Sequence, residues 1–219
     1  MGRDRNKLNL QAYDLIARIY AGDQPAEDDP VMRKQCRDLF TSALKGKRVV
    51  EIGCGPGVDS SFLDACGLNV TATDFSSEFI QIVRERFPHI RTHQMDMTNP
   101  DLASDTYDGV YAFASFIHIP RSESAKTLKG FFNLLKHEGV LFLSLLQSSK
   151  LKEYIIEDWG GKPGNSVLFT CYQPEDMTRM LKETGFKNVQ IHEVRSKLYE
   201  ELPRLVERGV THYQVIALK

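Results

Sequence analysis

Residues 49–60 read VVEIGCGPGVDS, a short apolar run that leads into a turn rich in glycine. Gly53, Gly55 and Gly57 stand at alternate positions, after a predicted strand and before a predicted helix. Because glycine has no Cβ, such a turn lets backbone N–H groups approach a bulky ligand closely. The stretch therefore predicts a strand, a tight turn and a helix that together contact a nucleotide-like cofactor.

The spacing of these glycines differs from the usual dinucleotide fingerprint. That fingerprint, GxGxxG, would need a glycine at position 58, where the chain has Val58. It also places a pyrophosphate at the N-terminus of the helix, whereas here Glu51 lies just before the first glycine. The negative charge of Glu51 would repel a phosphate, so the turn suits a cationic ligand better.

Two further acids close the next predicted strands. Asp74 ends the run NVTATD, and Asp96 lies beside Met97 in QMDM. Asp74 follows Gly53 by about 20 residues, where a carboxylate can accept hydrogen bonds from both hydroxyls of a ribose. Met97 offers an apolar neighbour for a flat ring. Together with Glu51, these acids indicate an adenosine that carries no phosphates.

Apolar runs and helix-period segments alternate from residue 47 onward, which predicts β-α-β units and a parallel sheet. The chain of 219 residues fits one domain of ordinary size. We expect this domain to have four parts: a helical cap over 1–45, a cofactor-binding core over 46–146, an insertion or lid over 147–172 and the C-terminal part of the sheet over 173–219.

The N-terminal cap opens with an amphipathic pattern over residues 8–20, which predicts a helix with an aromatic edge. Apolar side chains form one face of this helix, and two tyrosines lie on a second face. The first face consists of Leu8, Ala12, Leu15, Ile16 and Ile19, and the second of Tyr13, Ala17 and Tyr20.

Composition and charge exclude several classes of protein. With 42% hydrophobic residues, the composition is that of a folded globular protein. Its net charge of -1 gives no overall positive potential that would attract nucleic acid or an anionic membrane. It has no apolar run near the ~18 residues of a membrane span, and its N-terminus lacks the apolar segment of a secretory signal. Four scattered cysteines do not form a metal site. We expect a cytoplasmic protein without metal, nucleic-acid or membrane partners; its oligomeric state stays open.

Five motifs follow one another along roughly two-thirds of the chain. They are EIGCGPG at 51–57, TATDFS at 71–76, QMDM at 94–97, YDGVYAFASFIHIP at 107–120 and LLKHEGVLFLSL at 134–145. With these motifs in this order, the sequence resembles the class I S-adenosylmethionine-dependent methyltransferases. The resemblance implies an α/β fold with a Rossmann-like sheet of seven strands in the order 3-2-1-4-5-7-6, strand 7 being antiparallel.

The resemblance also implies the cofactor, S-adenosyl-L-methionine, with S-adenosyl-L-homocysteine as product. In this family the glycines contact the methionine and ribose portions, the acid at Asp74 holds the ribose hydroxyls, and the position of Asp96 lies at the adenine amino group. The residues expected to bind the cofactor are Glu51, Gly53, Gly55, Gly57, Asp74, Phe75, Asp96, Met97, Phe113 and Ser115.

The segments FASFIHIPR and FTCYQPEDMTRMLKETGF resemble small-molecule methyltransferases. The cofactor is already activated by its positive charge, so the protein mainly aligns the reactants for an in-line displacement. If the acceptor is a hydroxyl, His118 is the candidate base, just past the fourth strand. The residues expected to hold the acceptor come from the cap, from this strand end and from the insertion: Tyr13, Tyr20, His118, Trp159, Phe169 and Tyr172.

The sequence leaves the acceptor atom open between oxygen, nitrogen and sulfur. The region after the fourth strand reads AFASF, without the prolines of base-modifying amino-methyltransferases, the acids of metal-dependent catechol enzymes or the paired glutamates of arginine methyltransferases. Two other functions stay open: an NAD-dependent oxidoreductase, which Val58 disfavours, and a non-catalytic S-adenosylmethionine-binding protein.

Overall fold

The computed structural model describes residues 2–22, 30–193 and 207–219 of the chain. Its helices are α1 (Gly2–Gly22), α2 (Pro30–Ala43), α3 (Val58–Ala65), α4 (Ser77–Arg86), α5 (Ser124–Leu134) and α6 (Pro174–Thr184). Its strands are β1 (Arg48–Ile52), β2 (Asn69–Asp74), β3 (Arg91–Gln94), β4 (Tyr107–Ala112), β5 (Leu135–Ser148), β6 (Glu153–Ile156), β7 (Val167–Thr170), β8 (Lys187–His192) and β9 (Val210–Leu218). Short 3-10 turns cover Phe116–His118, Arg121–Glu123 and Trp159–Gly161.

Seven strands form one sheet in the order β3-β2-β1-β4-β5-β9-β8. The pairs from β3 to β5 are parallel, whereas β9 runs antiparallel to both β5 and β8. Since β6 and β7 lie outside this sheet, its own strands follow the order 3-2-1-4-5-7-6. The predicted fold class, strand order and antiparallel last strand are confirmed.

The central strands β1, β4 and β5 are buried over most of their length, as expected for parallel strands covered on both faces. Helices α2, α3 and α4 pack on one face, where the ring of Tyr111 stacks on Phe142 at 4.7 Å. Helices α5 and α6 pack on the other face. Each large apolar side chain buried in this way stabilises the fold by about 1.5–3 kcal/mol.

Strands β6 and β7 form a separate antiparallel hairpin within the segment predicted as an insertion. A bridge between Leu146 and Cys171 connects the end of this hairpin to β5. Strand β7 packs against α1 and against the 3-10 turn Phe116–His118 that follows β4. Helix α1 and the hairpin are therefore held next to the carboxyl end of β4.

Helix α1 buries only part of the apolar face predicted from the sequence. Ala12 and Ile16 of that face are buried, whereas Leu15 is 60% exposed and Ile19 is 43% exposed. The other buried positions are Asn9, Ala17 and Ala21. The buried polar side chain of Asn9 is fixed by backbone groups of β7, which turns the tyrosine edge of α1 inward. In the part of the chain that the structure covers, no helix combines the length and hydropathy needed to span a bilayer.

Candidate active site

A deep cavity lies at the carboxyl ends of β1, β2 and β4. It brings together most of the residues that the sequence predicts for cofactor and acceptor. Those on its wall are Glu51, Gly53, Gly55, Asp74, Phe75, Asp96, Met97, Phe113, Ser115, Tyr13, Tyr20, His118, Trp159 and Phe169. The first nine surround the ends of the strands, and the other five come from α1, the turn after β4 and the hairpin region.

The glycine turn has the backbone geometry that its composition predicts. Gly53 and Gly55 have φ of 71° and 51°, in the left-handed region that favours glycine. The N–H of Gly53 donates to the carbonyl of Thr73 at 2.8 Å, which joins the turn to β2. A Cβ on Gly53 would collide with Cβ of Ser115, whereas a Cβ on Gly55 would meet nothing within 4 Å. Gly55 therefore presents bare backbone to the cavity.

Asp74 ends β2 at the edge of this turn. Its Oδ2 accepts a hydrogen bond from the Gly55 N–H at 2.9 Å, and its Oδ1 accepts one from the Ser76 N–H at 2.9 Å. Burial disfavours the charged form and raises the pKa of Asp74 to about 6, although the two backbone bonds act in the opposite direction. At pH 7 Asp74 is mainly an ionised acceptor on the cavity wall.

Asp96 follows β3 and is half-buried. Its Oδ1 accepts hydrogen bonds from the backbone N–H and the hydroxyl of Thr98, both at 2.8 Å. These two bonds fix the carboxylate beside Met97, which also lines the cavity. The predicted pairing of a carboxylate acceptor with an apolar surface is therefore present at this point of the wall.

Glu51 and Asp59 form an acidic cluster behind the glycine turn. Glu51 is 2% exposed and accepts a hydrogen bond from the hydroxyl of Ser60. Burial, and then the neighbouring charge of Asp59, raise the pKa of Glu51 well above its usual value. Asp59 is itself paired with Arg33 at 2.6 Å and with Arg37. Two arginines of α2 thus balance the acids at this end of the cavity.

Phe113 and Ser115 come directly after β4. The ring of Phe113 lies under the guanidinium of Arg33, 4.4 Å from the ring centroid, a cation–π contact. The hydroxyl of Ser115 donates to the carbonyl of Ile52 at 2.6 Å. Because this bond ties the end of β4 to the end of β1, Ser115 fixes the floor of the cavity where Gly53 also lies.

His118 has both ring nitrogens engaged. Its Nδ1 lies 3.0 Å from the carbonyl of Leu168, which can only accept, so Nδ1 carries the hydrogen. Nε2 therefore accepts a hydrogen bond from the hydroxyl of Tyr13 at 3.0 Å. Burial lowers the pKa of His118 to about 4. At neutral pH the imidazole is uncharged and its lone pair points toward the hydroxyl of Tyr13.

Aromatic rings form the wall around His118. The ring of Tyr13 lies 5.2 Å from that of His118 and 6.2 Å from that of Trp159. The ring of Phe169 is 5.4 Å from Trp159 and stacks on Tyr154, with an angle of 9° between the planes. This arrangement can hold a flat apolar molecule and exclude water from its surroundings.

Residues 27–191 match the family described as a methyltransferase domain. The chain belongs to this family. Curated relatives carry the name ubiquinone biosynthesis O-methyltransferase. The protein of Xanthomonas campestris pv. campestris is 26% identical over 193 residues, covering 81% of this chain and 78% of the relative. The protein of Haemophilus ducreyi is 28% identical over 124 residues, which cover 52% of this chain and 51% of the relative.

Solved structures confirm the fold of this family member. One of them is a 1,6-didemethyltoxoflavin-N1-methyltransferase of Burkholderia thailandensis, solved with bound 1,6-didemethyltoxoflavin and S-adenosylhomocysteine. It is 16% identical in sequence, the alignment covers 100% of this chain and 90% of that chain, and the TM-score is 0.72. The [4+2]-cyclase SpnF is 17% identical in sequence, the alignment covers 96% of this chain and 94% of that chain, and the TM-score is again 0.72. The predictions of an S-adenosylmethionine-dependent methyltransferase and of its cofactor are confirmed. Neither the oxidoreductase nor the non-catalytic alternative gains support.

Two residues predicted for the site lie elsewhere in this methyltransferase. Gly57, with φ of 84°, is the N-cap residue before α3, and a Cβ there would lie 2.9 Å from Cγ2 of Val83, so its role is in packing. Tyr172 is fully buried in the core, and its hydroxyl lies 2.7 Å from that of Ser124. Its backbone N–H donates to the carbonyl of Leu146, which fixes the chain so that the ring does not line the cavity.

The sequence interpretation missed Asn9, Arg33, Phe79 and Tyr154, all on the cavity wall. Asn9 matters most for the geometry, because its Nδ2 donates to the carbonyls of His118 at 2.6 Å and Leu168 at 3.2 Å. Its Oδ1 accepts from the Leu168 N–H at 2.8 Å. The one feature of the sequence that could have indicated its role is that it is an asparagine next to the apolar positions of a predicted helix. The other three have no feature in the sequence that separates them from ordinary core or surface residues.

Proposed function

We propose that the cavity holds S-adenosylmethionine across the strand ends, with its ribose at Asp74 and its adenine between Asp96 and Met97. The observation that carries this proposal is the placement of Glu51, Gly55, Asp74 and Asp96 around one cavity in the order expected. The wall fits such a molecule: Gly55 leaves open space, and the acids supply acceptors for hydroxyl and amino groups. The cofactor supplies an activated methyl group; the chain supplies binding and alignment.

We further propose that the acceptor is a small molecule methylated on oxygen. The curated relatives are named as O-methyltransferases, and the uncharged imidazole of His118, whose Nε2 accepts a hydrogen bond from the hydroxyl of Tyr13 on the cavity wall, is placed to receive a hydroxyl proton. S-adenosylmethionine bound there would supply the methyl group: the hydroxyl oxygen would bond to the methyl carbon while the bond from that carbon to sulfur breaks and leaves its electrons on sulfur. The hydroxyl proton would pass to the oxygen of Tyr13, and the proton of Tyr13 would pass to Nε2 of His118. Cytoplasmic location and the lack of a nucleic-acid partner stay predictions.

Thermal unfolding in the presence of candidate cofactors tests the binding proposal. At a hundred times its dissociation constant, a ligand stabilises the native state by about 2.7 kcal/mol. For a chain of this size, this corresponds to a rise in Tm of roughly 5–11 °C. We expect that rise with S-adenosylmethionine and S-adenosylhomocysteine and no rise with NADH. A rise with NADH alone would overturn the assignment.

The role of His118 is tested by turnover and binding together. Release of S-adenosylhomocysteine is measured with pooled phenols, amines and thiols to find an acceptor. With that acceptor, His118→Gln should lower kcat by roughly 10²–10⁴-fold, the usual contribution of a general base, while the Kd for S-adenosylhomocysteine stays the same. An unchanged kcat would show that alignment alone is sufficient.

A further inference from the structure

The charged side chains on the cavity wall are confined to one end. Among the residues that the structure describes, the charged groups lie on α2, on α3 or at the carboxyl ends of β1, β2 and β3; they are Arg33, Glu51, Asp59, Asp74 and Asp96. The opposite end, which we term the acceptor chamber, is lined by α1, the turn after β4 and the β6–β7 hairpin. Its described wall contains apolar and aromatic side chains, Asn9 and His118.

The described wall of the acceptor chamber carries no charged side chain at physiological pH. Burial keeps His118 uncharged well below pH 7, and both polar ends of Asn9 are bound to backbone groups. Arg208 approaches the ring of Tyr154, 5.3 Å from its centroid, but does not line the cavity. A carboxylate or phosphate in this chamber would lose its hydration without gaining an opposite charge, which is strongly unfavourable. An ammonium would gain only cation–π contacts with the aromatic rings in exchange for its hydration.

The hydroxyl of Tyr154, a residue of the chamber wall, has no hydrogen-bond partner in the described part of the fold. Tyr154 is 9% exposed and lines the cavity. Its hydroxyl is buried and has no hydrogen-bond partner among the described residues. A buried hydroxyl without a partner is costly, and its partner at this position can come from a bound molecule. Stacking on Phe169 holds the ring of Tyr154 in place.

We propose that the acceptor is an uncharged, flat aromatic compound with two polar substituents. One is the hydroxyl that becomes methylated, facing His118 and Tyr13, and the other is a hydroxyl or carbonyl that binds Tyr154. This proposal rests on the proposed function and adds the charge and shape of the substrate. The rings of Trp159 and Phe169 pack on the ring of the acceptor, and the absence of a counter-charge on the described wall rejects ionised analogues.

Three catechols of similar size test the selection by charge. The protein saturated with S-adenosylhomocysteine is titrated at pH 7.5 with neutral 4-methylcatechol, anionic 3,4-dihydroxybenzoate and cationic 3,4-dihydroxybenzylamine. Trp159 is the single tryptophan of the chain and lies on the chamber wall, so quenching of its fluorescence reports occupancy. We expect 4-methylcatechol to bind at least tenfold more tightly than either charged compound. Tighter or equal binding of a charged compound overturns the proposal, as does failure of all three to bind.

Adjacent residues of β6 provide matched variants. Ile156 lines the cavity, whereas Ile155 is 47% exposed and does not. Ile156→Lys should shift the preference toward 3,4-dihydroxybenzoate by at least tenfold, and Ile155→Lys should leave the preference unchanged. Tyr154→Phe should weaken binding of 4-methylcatechol without lowering Tm. Equal behaviour of the two lysine variants overturns the assignment of the chamber.

The two proposals fail in different ways. If S-adenosylhomocysteine does not raise Tm, the proposed function is wrong. If it raises Tm but the charged catechols bind best, the cofactor site stands and only the inference about the acceptor is wrong.

Discussion

Gly55→Ala is expected to separate cofactor binding from folding at the glycine turn. Gly55 has φ of 51°, and a Cβ at this position would meet nothing within 4 Å. The loss of stability is therefore limited to the strain of an L-residue in the left-handed region, roughly 1–2 kcal/mol. Since each kcal/mol lowers Tm by about 2–4 °C in a chain of this size, we expect a decrease of roughly 2–8 °C.

The affinity for the cofactor should change in the same variant for a separate reason. The added methyl group enters the cavity at the wall where we propose that the cofactor lies. This wall cannot easily move away, because two hydrogen bonds hold it. The Gly55 N–H donates to the carboxylate of Asp74, and the Gly53 N–H donates to the carbonyl of Thr73. We expect the Kd for S-adenosylhomocysteine, measured by calorimetry, to rise at least tenfold, or about 1.4 kcal/mol.

Gly67→Ala is the matched control for this experiment. Gly67 follows α3 with φ of 79°, has nothing within 4 Å of a Cβ, and does not line the cavity. The substitution should lower Tm by a similar amount and leave the Kd unchanged. If the Kd were unchanged in Gly55→Ala, or raised equally in both variants, the cofactor would not lie against the glycine turn.

Three further predictions concern Asp74, His118 and Asn9. Asp74→Asn should raise the Kd for S-adenosylhomocysteine roughly 10- to 150-fold, the value of a charge-assisted hydrogen bond, and Asp101→Asn should not. In the unmodified protein this affinity should fall as the pH drops through about 6, where Asp74 takes up its proton; a constant Kd from pH 8 to 5 contradicts the assigned contact. The ring of His118 should stay neutral down to pH 5 in a nitrogen NMR titration, since its pKa is about 4; protonation near pH 6.5 would refute this. Asn9→Ala leaves the buried Leu168 N–H without a partner and should lower the free energy of unfolding by roughly 1–3 kcal/mol in urea.

The sequence predicted the sheet and the grouping of glycines and acids at the strand ends because both depend on local signals. The glycines and acids at strand ends have fixed positions once the strands are parallel, so Gly53, Gly55, Asp74 and Asp96 meet at one edge. Gly57 shows the limit of this reasoning. Its spacing fits the motif, but its φ and its contact with Val83 serve the packing of α3.

The end of the cavity around His118, where we propose that the acceptor binds, was harder to predict because it is assembled from distant segments. Tyr13 and Trp159 were predicted as part of a set of aromatic residues, but no pattern in the sequence shows which way their side chains point. Tyr172 belonged to the same set, and only its backbone bond to Leu146 decides that its ring enters the core. The orientation of α1 likewise depends on Asn9 and β7, which are separated by about 160 residues. Hydrophobic periodicity carries no information on such a contact.

The carbonyl of Leu168 accepts hydrogen bonds from both Asn9 and His118. Helix α1 therefore influences the orientation of the His118 imidazole as well as the position of Tyr13. This helix lies before residues 27–191, the part of the chain that matches the family. With the cofactor at the strand ends, as we propose, the two ends of the cavity are formed mainly by different stretches of the chain. We expect that exchange of α1 together with the hairpin changes the acceptor specificity while the strand-end acids stay the same, so that substrate range can diversify in a modular way.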